Sequence, residues 1–442
     1  MERTKHIVIL GGGFGGLYTA LHLDRTVARR SDVKVTLVNR ENFFLFTPML
    51  HEVAAGDLDI TNIVSPVRKL LKYVDVFNGR VENIDLDKRI VRVSHGKEHH
   101  HHDLDYDQLV FGLGSITNFF GNAGLAENAL TMRSLGDAIY LRNHVISNLE
   151  EADFECSPEA RRPLVNFVVA GGGFAGVETM AGINDFVRES LKFYPNLSED
   201  MIRMVLVHAG TAILPELSHK LGKYAEEKLG RRGVEIHLDT RLTGYENNEA
   251  TFSDGTLILT NTVIWTAGNA PNPLLDELQC KKESGRVCTD EFMRVPGYDG
   301  VWALGDCAWT LDPRTQQPYP PTAQHAIRQG RVLAQNIRAD LDGKRLRPFV
   351  FSTIGQLAAL GKRTGVAQIA GINFSGFIAW WLWRTIYLMK LPRLEKKLRV
   401  ALDWTLDLIF SKDPVQFLTL RSPAISKEDL SAPKRTYIAT AR

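Results

Sequence analysis

Two glycine clusters with the same spacing are the residues of this sequence best suited to chemistry. Residues 11–16 read GGGFGG and residues 171–176 read GGGFAG, and both match the pattern GxGxxG. In a strand–turn–helix unit, such glycines permit a tight turn, let backbone N–H groups approach a pyrophosphate, and let the helix pack closely on its strand. Two clusters therefore predict two dinucleotide sites. The candidate binding residues are Gly11, Gly13, Phe14, Gly15 and Gly16 in the first cluster and Gly171, Gly173, Phe174, Ala175 and Gly176 in the second.

The segments around both clusters supply the strands and helices that the motif requires. Apolar runs at residues 6–10 and 164–170 predict buried parallel strands, and apolar residues at helical spacing follow each cluster. Residues 33–38 and 204–207 predict the next strand of each unit. The pattern indicates an α/β chain with two Rossmann-like, doubly wound dinucleotide-binding domains.

The residue that ends each second strand is not the usual acid. In dinucleotide folds an acid commonly accepts the ribose hydroxyls there, but this chain has Asn39 and His208. We therefore assign the ribose role to Glu41 and adenine or phosphate contacts to Arg40, although both also suit ordinary solvated positions. Residues 208–214 contain no arginine to receive a 2′-phosphate, so NADH is favoured over NADPH without being determined.

Glu178 follows the second cluster by two residues, just inside the predicted helix. A carboxylate there can accept hydrogen bonds from a ribose or a carboxamide above the turn. Alternatively, it only complements the helix dipole.

Small residues at the ends of other predicted strands would let a cofactor pass close to the backbone. They include Gly114, the pair Ala267 and Gly268, and Gly305 before Asp306. The carboxylate of Asp306 suits hydrogen bonding to the ribityl chain of a flavin.

A helix is predicted to begin after the proline-rich loop, with Thr322 as a natural N-cap and Ala323 and Gln324 in its first turn. A helix N-terminus aimed at a flavin would stabilise the negative charge of its reduced form. Residues 43–55 (FFLFTPMLHEVAA), with a turn at Thr47, are too apolar for a surface loop. Either a flavin ring or other core residues must cover them.

The cysteine and histidine patterns argue against two further kinds of chemistry. Cys156, Cys280, Cys288 and Cys307 form no CxxC or CxxxxC pair, which argues against disulfide-reducing and sulfide-oxidising flavoenzymes and favours small, semi-buried thiols. The run at 99–102 lies between the strands predicted at 81–93 and 106–113. Four consecutive histidines cannot all face one metal from a fixed strand or helix, so we predict a solvated hairpin tip and no metal site.

The order of the motifs GGGFGG, FLFTPML, GGGFAGVE, TAG, GDCA and TAQHA, followed by an apolar tail, resembles the type II NADH dehydrogenases over essentially the whole chain. These are single-subunit flavin NADH:quinone oxidoreductases with a pyridine nucleotide-disulfide oxidoreductase-like fold. The resemblance implies non-covalent FAD on the first cluster and Asp306, and NADH as substrate on the second. It places Glu178 near the nicotinamide and Ala323 and Gln324 beside the flavin on the quinone side.

These positions make Glu178 and Gln324 the catalytic candidates. We expect replacement of Glu178 by alanine to slow flavin reduction by NADH, and replacement of Gln324 to slow reoxidation by quinone. The family often has ribose-binding acids where this chain has Asn39 and His208.

The tail determines whether the acceptor is lipidic. Residues 364–383 lack charge, but glycines and polar residues interrupt them, so a membrane span is not predicted. Aromatic residues in 374–388 beside basic residues in 384–399 instead favour amphipathic helices lying in a membrane interface. A second apolar stripe comprises Leu394, Leu398, Ala401, Leu402, Thr405, Leu408 and Ile409. The alternative is that these helices cover the flavin domain or pair in a homodimer.

The predicted domains are 1–120 and 290–365 for FAD, 121–289 for NADH, and 366–442 for membrane association. The net charge of +2 shows no bias toward nucleic acid, and the first strand begins too early for a signal peptide. We therefore expect a monotopic respiratory enzyme on the cytoplasmic face of the cell membrane that does not pump protons. The alternatives are a soluble NAD(P)H:ferredoxin or rubredoxin reductase, which would not need the tryptophan-rich tail, and a non-enzymatic NADH sensor, which would show no steady turnover with a quinone. The sequence does not indicate which quinone is used.

Overall fold

The computed structural model describes residues 3–407, 410 and 412–417. Its first unit is built on a five-stranded parallel sheet in which the strand that precedes the first glycine cluster is central. The strand order is Val301–Ala303, Gln108–Phe111, Lys5–Leu10, Val33–Asn39 and Asp75–Asn78. The inner strands are largely buried and apolar because both faces of a parallel sheet are covered, whereas the edge strand Asp75–Asn78 is polar at both ends.

The second unit repeats this architecture, as the second glycine cluster predicts. Its five parallel strands run in the order Leu130–Thr131, Thr262–Trp265, Asn166–Ala170, Arg203–Val207 and Val234–His237. In both units the glycine turn follows the central strand, which brings the turn to the carboxyl edge of the sheet, where α/β folds bind their ligands.

The helices cover the sheets and the C-terminal region. Their bounds are Phe14–Asp24, Leu50–Ala54, Val67–Leu70, Ala123–Asn128, Leu135–Phe154, Pro158–Arg161, Phe174–Ser190, His219–Gly230, Ala323–Leu341, Phe377–Lys390 and Leu394–Asp407. The first packs closely on Ala323–Leu341, since a Cβ atom on Gly330 would lie 2.8 Å from the carbonyl oxygen of Gly15. This contact joins the first glycine turn to the helix that follows the proline-rich loop.

Small antiparallel sheets complete the molecule. Three have three strands each: Arg80–Asp85, Ile90–His95 and His100–Asp105; Leu242–Glu246, Glu249–Phe252 and Leu257–Leu259; and Gly355–Ala359, Gly365–Ile369 and Ile372–Gly376. A mixed sheet contains Lys282–Glu283, Arg286–Cys288 and Ala308–Trp309, and Phe43–Leu45 pairs with Val64–Pro66. The histidine run begins at a hairpin end, as predicted, with His99 in the turn at 96–99, but it continues into an unpredicted strand, His100–Asp105, paired with Ile90–His95. Its exposure to solvent is confirmed.

The chain crosses between the two units through a pair of short antiparallel strands, Ser115–Thr117 and Asn269–Pro271. After the second crossing, Leu275 and Val287 pack in the same core as Val8 of the first sheet. The chain thus returns to the first unit well before residue 289, where the sequence suggested the boundary.

The C-terminal helices bury one face and expose another. Ala379, Trp380 and Trp383 are buried in the first helix, and Lys396, Val400 and Trp404 are buried in the second. The expectation that the tryptophans at 380, 381 and 383 all serve an interface was therefore wrong, since only Trp381 is exposed. Within the described part of the chain, no helix combines the length and hydropathy needed to cross a membrane. Leu408 and Ile409 of the predicted stripe lie outside the described residues.

The four cysteines are free thiols in different surroundings. Cys156 is exposed, Cys280 and Cys288 are partly buried, and Cys307 is buried. The predicted semi-burial holds for only two of the four, Cys280 and Cys288. Burial raises the pKa of Cys307 to about 11, which keeps it protonated and unreactive at neutral pH.

Candidate functional site

One cleft of about 1420 Å³ lies between the two glycine turns. A pocket for a single small ligand usually measures about 300–1,000 Å³, so this cleft has room for more than one. Phe14, Gly15, Thr47, Gly114, Asp306, Ala323 and Gln324 line it from the first unit. Gly171, Gly173, Phe174, Ala175, Gly176, Glu178, His208 and Ala267 line it from the second.

The glycines of each turn have two different functions. Gly11 has a φ of +96°, and a Cβ atom on Gly16 would lie 1.9 Å from the Gly11 carbonyl oxygen, so these two residues allow the turn and the close helix packing. Gly13, by contrast, faces open space, since a Cβ atom there would meet no atom within 4 Å. This openness at a helix N-terminus fits the close approach of a pyrophosphate. In the second turn, Gly171 has a φ of +120° and Gly176 packs in the same way.

Asn39 and His208, which stand where dinucleotide folds usually have an acid, bind the glycine turns. The N–H of Gly12 donates to Asn39 Oδ1 at 2.8 Å, and the N–H of Gly172 donates to His208 Nδ1 at 3.1 Å. In both units, the side chain that ends the second strand therefore ties down the glycine turn. The turn amides that remain are presented to the cleft.

Arg40 and Glu41 lie outside the cleft lining. Their side chains are exposed and form an ion pair with each other, with 3.2 Å between Arg40 Nε and Glu41 Oε1. Their contacts with a cofactor stay a prediction. Gly268 likewise packs against the backbone of Asn118, since a Cβ atom would lie 2.3 Å from that carbonyl oxygen. Its tight packing gives Gly268 a structural reason to be glycine.

Asp306 sits in a short 3₁₀ turn, Gly305–Cys307, directly after a strand of the first sheet. Its Oδ2 accepts a hydrogen bond from Ser115 Oγ at 2.9 Å, and Arg133 donates to the same hydroxyl at 2.7 Å. Asp306 Oδ1 accepts no hydrogen bond from the described residues. Ser115 and Arg133, which were not candidates from the sequence, thus orient the Asp306 carboxylate and leave its Oδ1 for a ligand. The small-residue stretch that ends at Ser115 was a sequence signal for that residue, whereas Arg133 had none.

The helix Ala323–Leu341 begins at the cleft with Thr322 in the N-cap position, as predicted. The Thr322 hydroxyl lies 2.7 Å from His325 Nδ1 and does not cap the helix. Ala323 and Gln324 therefore keep N–H groups that have no partner among the described residues. These amides and the helix dipole favour a negative charge at this side of the cleft.

Glu178 is buried, with about a tenth of its side chain exposed. It lies in the second turn of the helix Phe174–Ser190, so the alternative of a first-turn residue serving the dipole was wrong. Its Oε1 accepts hydrogen bonds from the Ala359 N–H at 3.0 Å and from Trp383 Nε1 at 2.8 Å. Burial raises the pKa of Glu178 to about 8, although these donors oppose the shift.

Two tryptophans of the C-terminal helices reach buried carboxylates. Trp383 donates to Glu178, and Trp404 Nε1 donates to Glu52 Oε2 at 2.8 Å. Burial also raises the pKa of Glu52. His51 directly precedes Glu52 in the chain and lies beside Glu178: its Nδ1 is 3.8 Å from Glu178 Oε2, and its ring contacts the Trp383 ring edge to face at 5.5 Å. Burial lowers the pKa of His51 to about 3, so its imidazole is neutral.

One strand connects the two catalytic candidates. Gln324 Nε2 donates to the Gly355 carbonyl oxygen at 3.3 Å, while the N–H of Ala359 binds Glu178. Gly355 and Ala359 are the two ends of the strand Gly355–Ala359, so their backbones lie about 13 Å apart. The strand therefore holds Gln324 and Glu178 at separate parts of the same cleft.

Segment 43–55 is partly buried core and partly cleft wall, so its contact with a flavin stays a prediction. Phe44, Phe46 and Met49 are buried in the large hydrophobic core. Thr47 and Pro48, at the turn, face the cleft.

Comparison with known proteins agrees with this geometry. A family model described as "Pyridine nucleotide-disulphide oxidoreductase" matches residues 5–330, and one described as "NDH2 C-terminal domain" matches residues 354–413. The structure of NDH2 from Plasmodium falciparum in complex with NADH shares the fold, with a TM-score of 0.86 at 19% identity, covering 93% of this chain and 100% of that one.

Two curated proteins are similar over nearly the whole chain. The type II NADH:quinone oxidoreductase Ndh of Mycobacterium tuberculosis is 34% identical, with 99% of this chain and 93% of the relative covered. The external alternative NADH-ubiquinone oxidoreductase of Yarrowia lipolytica mitochondria is 30% identical, with 92% and 80% covered. The chain therefore belongs to the pyridine nucleotide-disulphide oxidoreductases and, within them, to the type II NADH:quinone oxidoreductases.

Proposed function

We propose that this chain passes two electrons from NADH to a membrane quinone through one non-covalently bound FAD, without pumping protons. The observation that carries the proposal is the single cleft shared by the two glycine turns, with Glu178 buried at the wall where the C-terminal helices meet it. A flavin bound there would accept hydride from the nicotinamide and pass two electrons to the quinone.

The residues of the first unit fit an FAD. The open N-terminal end of the helix at Gly13 would receive the pyrophosphate, Asp306 Oδ1 would accept a hydrogen bond from a ribityl hydroxyl, and the free amides of Ala323 and Gln324 would favour negative charge on the reduced flavin. Gly114 adds a position where backbone can approach the ring system, since it too has open space at its Cβ. Arg40 and Glu41 bind the adenosine end in this proposal.

The residues of the second unit fit NADH. Gly173 leaves room for the pyrophosphate, and Phe174, Ala175 and Ala267 form walls of the cleft. Glu216, which was not a candidate from the sequence, lies beside this turn. Its Oε1 would be 4.0 Å from a Cβ atom placed on Gly173. We assign to Glu216 the ribose contact that an acid after the second strand usually makes.

Glu178 supplies a proton in this proposal. Reduction of a quinone to a quinol consumes two electrons and two protons; the hydride from NADH brings the electrons and one hydrogen, and Glu178, whose pKa near 8 keeps it protonated at neutral pH, would supply the remaining proton. Both N–H donors bind Oε1, so the proton resides on Oε2, which faces His51. Gln324 lies about 13 Å away, at the other end of the connecting strand, so it would orient the quinone beside the flavin while the proton of Glu178 would reach the quinone through water in the cleft.

A row of exposed leucines supports binding to a membrane surface. Leu394, Leu398 and Leu402 are 71%, 65% and 58% exposed on one face of the last helix. Phe377, Ile378 and Trp381 are exposed on the preceding helix. We place this surface on the cytoplasmic leaflet, bound peripherally. A homodimer that buries the same leucines is the competing arrangement, and a soluble reductase has no use for them.

The function can be tested by stopped-flow absorbance of the flavin. NADH should bleach the oxidised flavin, and a short-chain quinone should restore it. A protein that is reduced by NADH but not reoxidised by any quinone would contradict the proposed acceptor.

Replacing Asp306 by alanine should release the flavin while the fold survives. The carboxylate oxygen that we assign to the ribityl chain would be lost, and loss of a hydrogen bond to a charged group costs about 1.5–3 kcal/mol, roughly a tenfold to hundredfold weaker complex. Flavin absorbance per chain after gel filtration measures the effect, with exposed Asp254 replaced by alanine as the control. Full flavin occupancy in Asp306→Ala would contradict the assignment.

Replacing Glu216 by glutamine should relax the preference for NADH over NADPH. The carboxylate repels a 2′-phosphate, and like charges at close range cost on the order of 1 kcal/mol or more near a protein surface. We expect the ratio of kcat/KM for NADH to that for NADPH to fall about fivefold or more. An unchanged ratio would mean that another residue reads the ribose.

A further inference from the structure

Three histidines converge on one face of the antiparallel sheet formed by Arg80–Asp85, Ile90–His95 and His100–Asp105. The pairing sets His95 opposite His100 and Val93 opposite His102. Side chains alternate between the faces of a sheet, so His100 and His102 lie on the same face as His95. His101 lies opposite Ser94 and points to the other face.

The ring nitrogens of these three residues are close enough to share one ion. His95 Nε2 and His102 Nε2 are 3.0 Å apart, and one nitrogen from each of the three rings lies within 4.8 Å of the others. Nitrogens bound to a tetrahedral Zn²⁺ at about 2.0–2.1 Å are separated by about 3.3 Å. All three side chains are exposed, so their rings are free to rotate toward that geometry.

The His95 and His102 rings make aromatic contacts. Phe77, on a strand of the first sheet, contacts the His95 ring at 5.9 Å and the His102 ring at 5.6 Å between centroids. His95 and His102 are themselves stacked, with centroids 5.0 Å apart. Strand pairing thus fixes the three histidines on one face, and their exposed rings must turn from the stacked arrangement to point their nitrogens at one ion.

We propose that His95, His100 and His102 form a binding site for a divalent transition-metal ion of the zinc type, with the remaining coordination position open to water. Neutral imidazole is a preferred ligand of Zn²⁺, Cu²⁺ and Ni²⁺. The carboxylate of Glu82 bonds to Ser94 on the opposite face, so the site presents three nitrogen ligands. The three histidines do not line the cleft between the two glycine turns, and the proposal does not depend on the proposed electron transfer.

The alternation of the strand supplies matched variants for a test. The full-length flavoprotein, purified without a polyhistidine tag, is titrated with ZnCl₂ by isothermal calorimetry in a buffer that does not bind zinc. We expect about one Zn²⁺ per chain at this site. His102→Ala should weaken binding by at least about tenfold, because loss of even an outer-shell partner costs about 10- to 100-fold. His101→Ala, one residue away on the other face, should bind as the wild type does.

Two further measurements make the result decisive. His95→Ala should reproduce the loss, and Co²⁺ in place of Zn²⁺ should give visible absorption bands of a tetrahedral site that disappear in both variants. Flavin absorbance checks that each variant is folded. Equal loss in His101→Ala and His102→Ala, or wild-type protein that binds no Zn²⁺, would overturn the proposal and leave a solvated strand.

Discussion

Glu178→Gln should lower the rate of quinone reduction by about a hundredfold or more, the usual contribution of a positioned general acid. The wild-type rate should fall as the pH rises through about 8, the pKa of Glu178, because the protonated carboxyl is present below that pH and lost above it. Glutamine keeps the hydrogen bonds at Oε1 but has no proton to give. The variant should therefore be slow and nearly independent of pH. Stopped-flow reoxidation of the reduced protein by a short-chain quinone, from about pH 6 to about pH 10, measures this.

The half-reactions separate two roles for Glu178. If Glu178 contacts the nicotinamide, as its place beside the second glycine turn predicts, its replacement should slow flavin reduction by NADH. In that case Gln324→Ala is the variant that should slow reoxidation by quinone. Its burial and raised pKa favour the proton-consuming reoxidation, since hydride transfer depends mainly on alignment. Exposed Glu199→Gln is the control. A Glu178→Gln protein that is slow only with NADH, and reoxidises with the wild-type pH profile, would refute the proton role and support the nicotinamide contact.

A protein with Leu394, Leu398 and Leu402 all changed to glutamine should lose most of its binding to anionic liposomes. Burying one leucine side chain is worth about 1.5–3 kcal/mol, so even partial insertion of three is worth about 3 kcal/mol, or on the order of a hundredfold in affinity. Flavin content and NADH oxidation with ferricyanide should stay unchanged, because these side chains point away from the cleft. Liposome co-sedimentation measures the binding.

The control uses exposed leucines elsewhere. Leu257 and Leu259 are 55% and 49% exposed on the second unit, so their replacement by glutamine removes apolar surface without touching the last helix. High salt alone should not release the wild-type protein, because the apolar contact remains. If the triple variant binds liposomes normally but changes from dimer to monomer in light scattering, the leucines form a subunit interface and the membrane proposal fails.

The structure also changes what removal of the tail would mean. The sequence alone predicts that a chain ending near Ile372 is soluble and keeps ferricyanide activity. Such a chain would lose Trp383 and Trp404, which donate to the buried carboxylates of Glu178 and Glu52. An unpaired buried acceptor costs about 1–3 kcal/mol. Surface substitutions therefore test membrane binding more cleanly than truncation.

Two of the basic residues near the tail are buried against the rest of the protein, as Trp383 and Trp404 are. Arg384 is mostly buried and lies 3.7 Å from Asp407, and Lys396 donates to the Thr61 carbonyl oxygen. These two cations stabilise the packing of the tail and are not available to lipid headgroups. The stripe at 394, 398 and 402 keeps its exposure because the buried face of that helix is the one that carries Val400 and Trp404.

Local sequence was sufficient to predict both nucleotide-binding units. The glycine spacing, the flanking apolar runs and the Gly305–Asp306 strand end depend on residues close together in the chain, and parallel strands with buried faces leave a strong hydrophobic pattern. The family resemblance rested on the same local motifs. Asn39 and His208 were recognised as departures, but their bonds to Gly12 and Gly172 required the turn in three dimensions.

Contacts between distant segments were decided only by the tertiary structure. Glu178 and Trp383 are far apart in the chain, and nothing in either segment indicates that an indole from the tail would bind that carboxylate. The pKa of Glu178 follows from this burial, since desolvation depends on everything packed around a group and not on its neighbours in sequence. The sequence shows the histidines at 95 and 99–102, but not which of them share a face. Strand register places His95, His100 and His102 together, because a shift of one residue would move every side chain to the other face of the sheet.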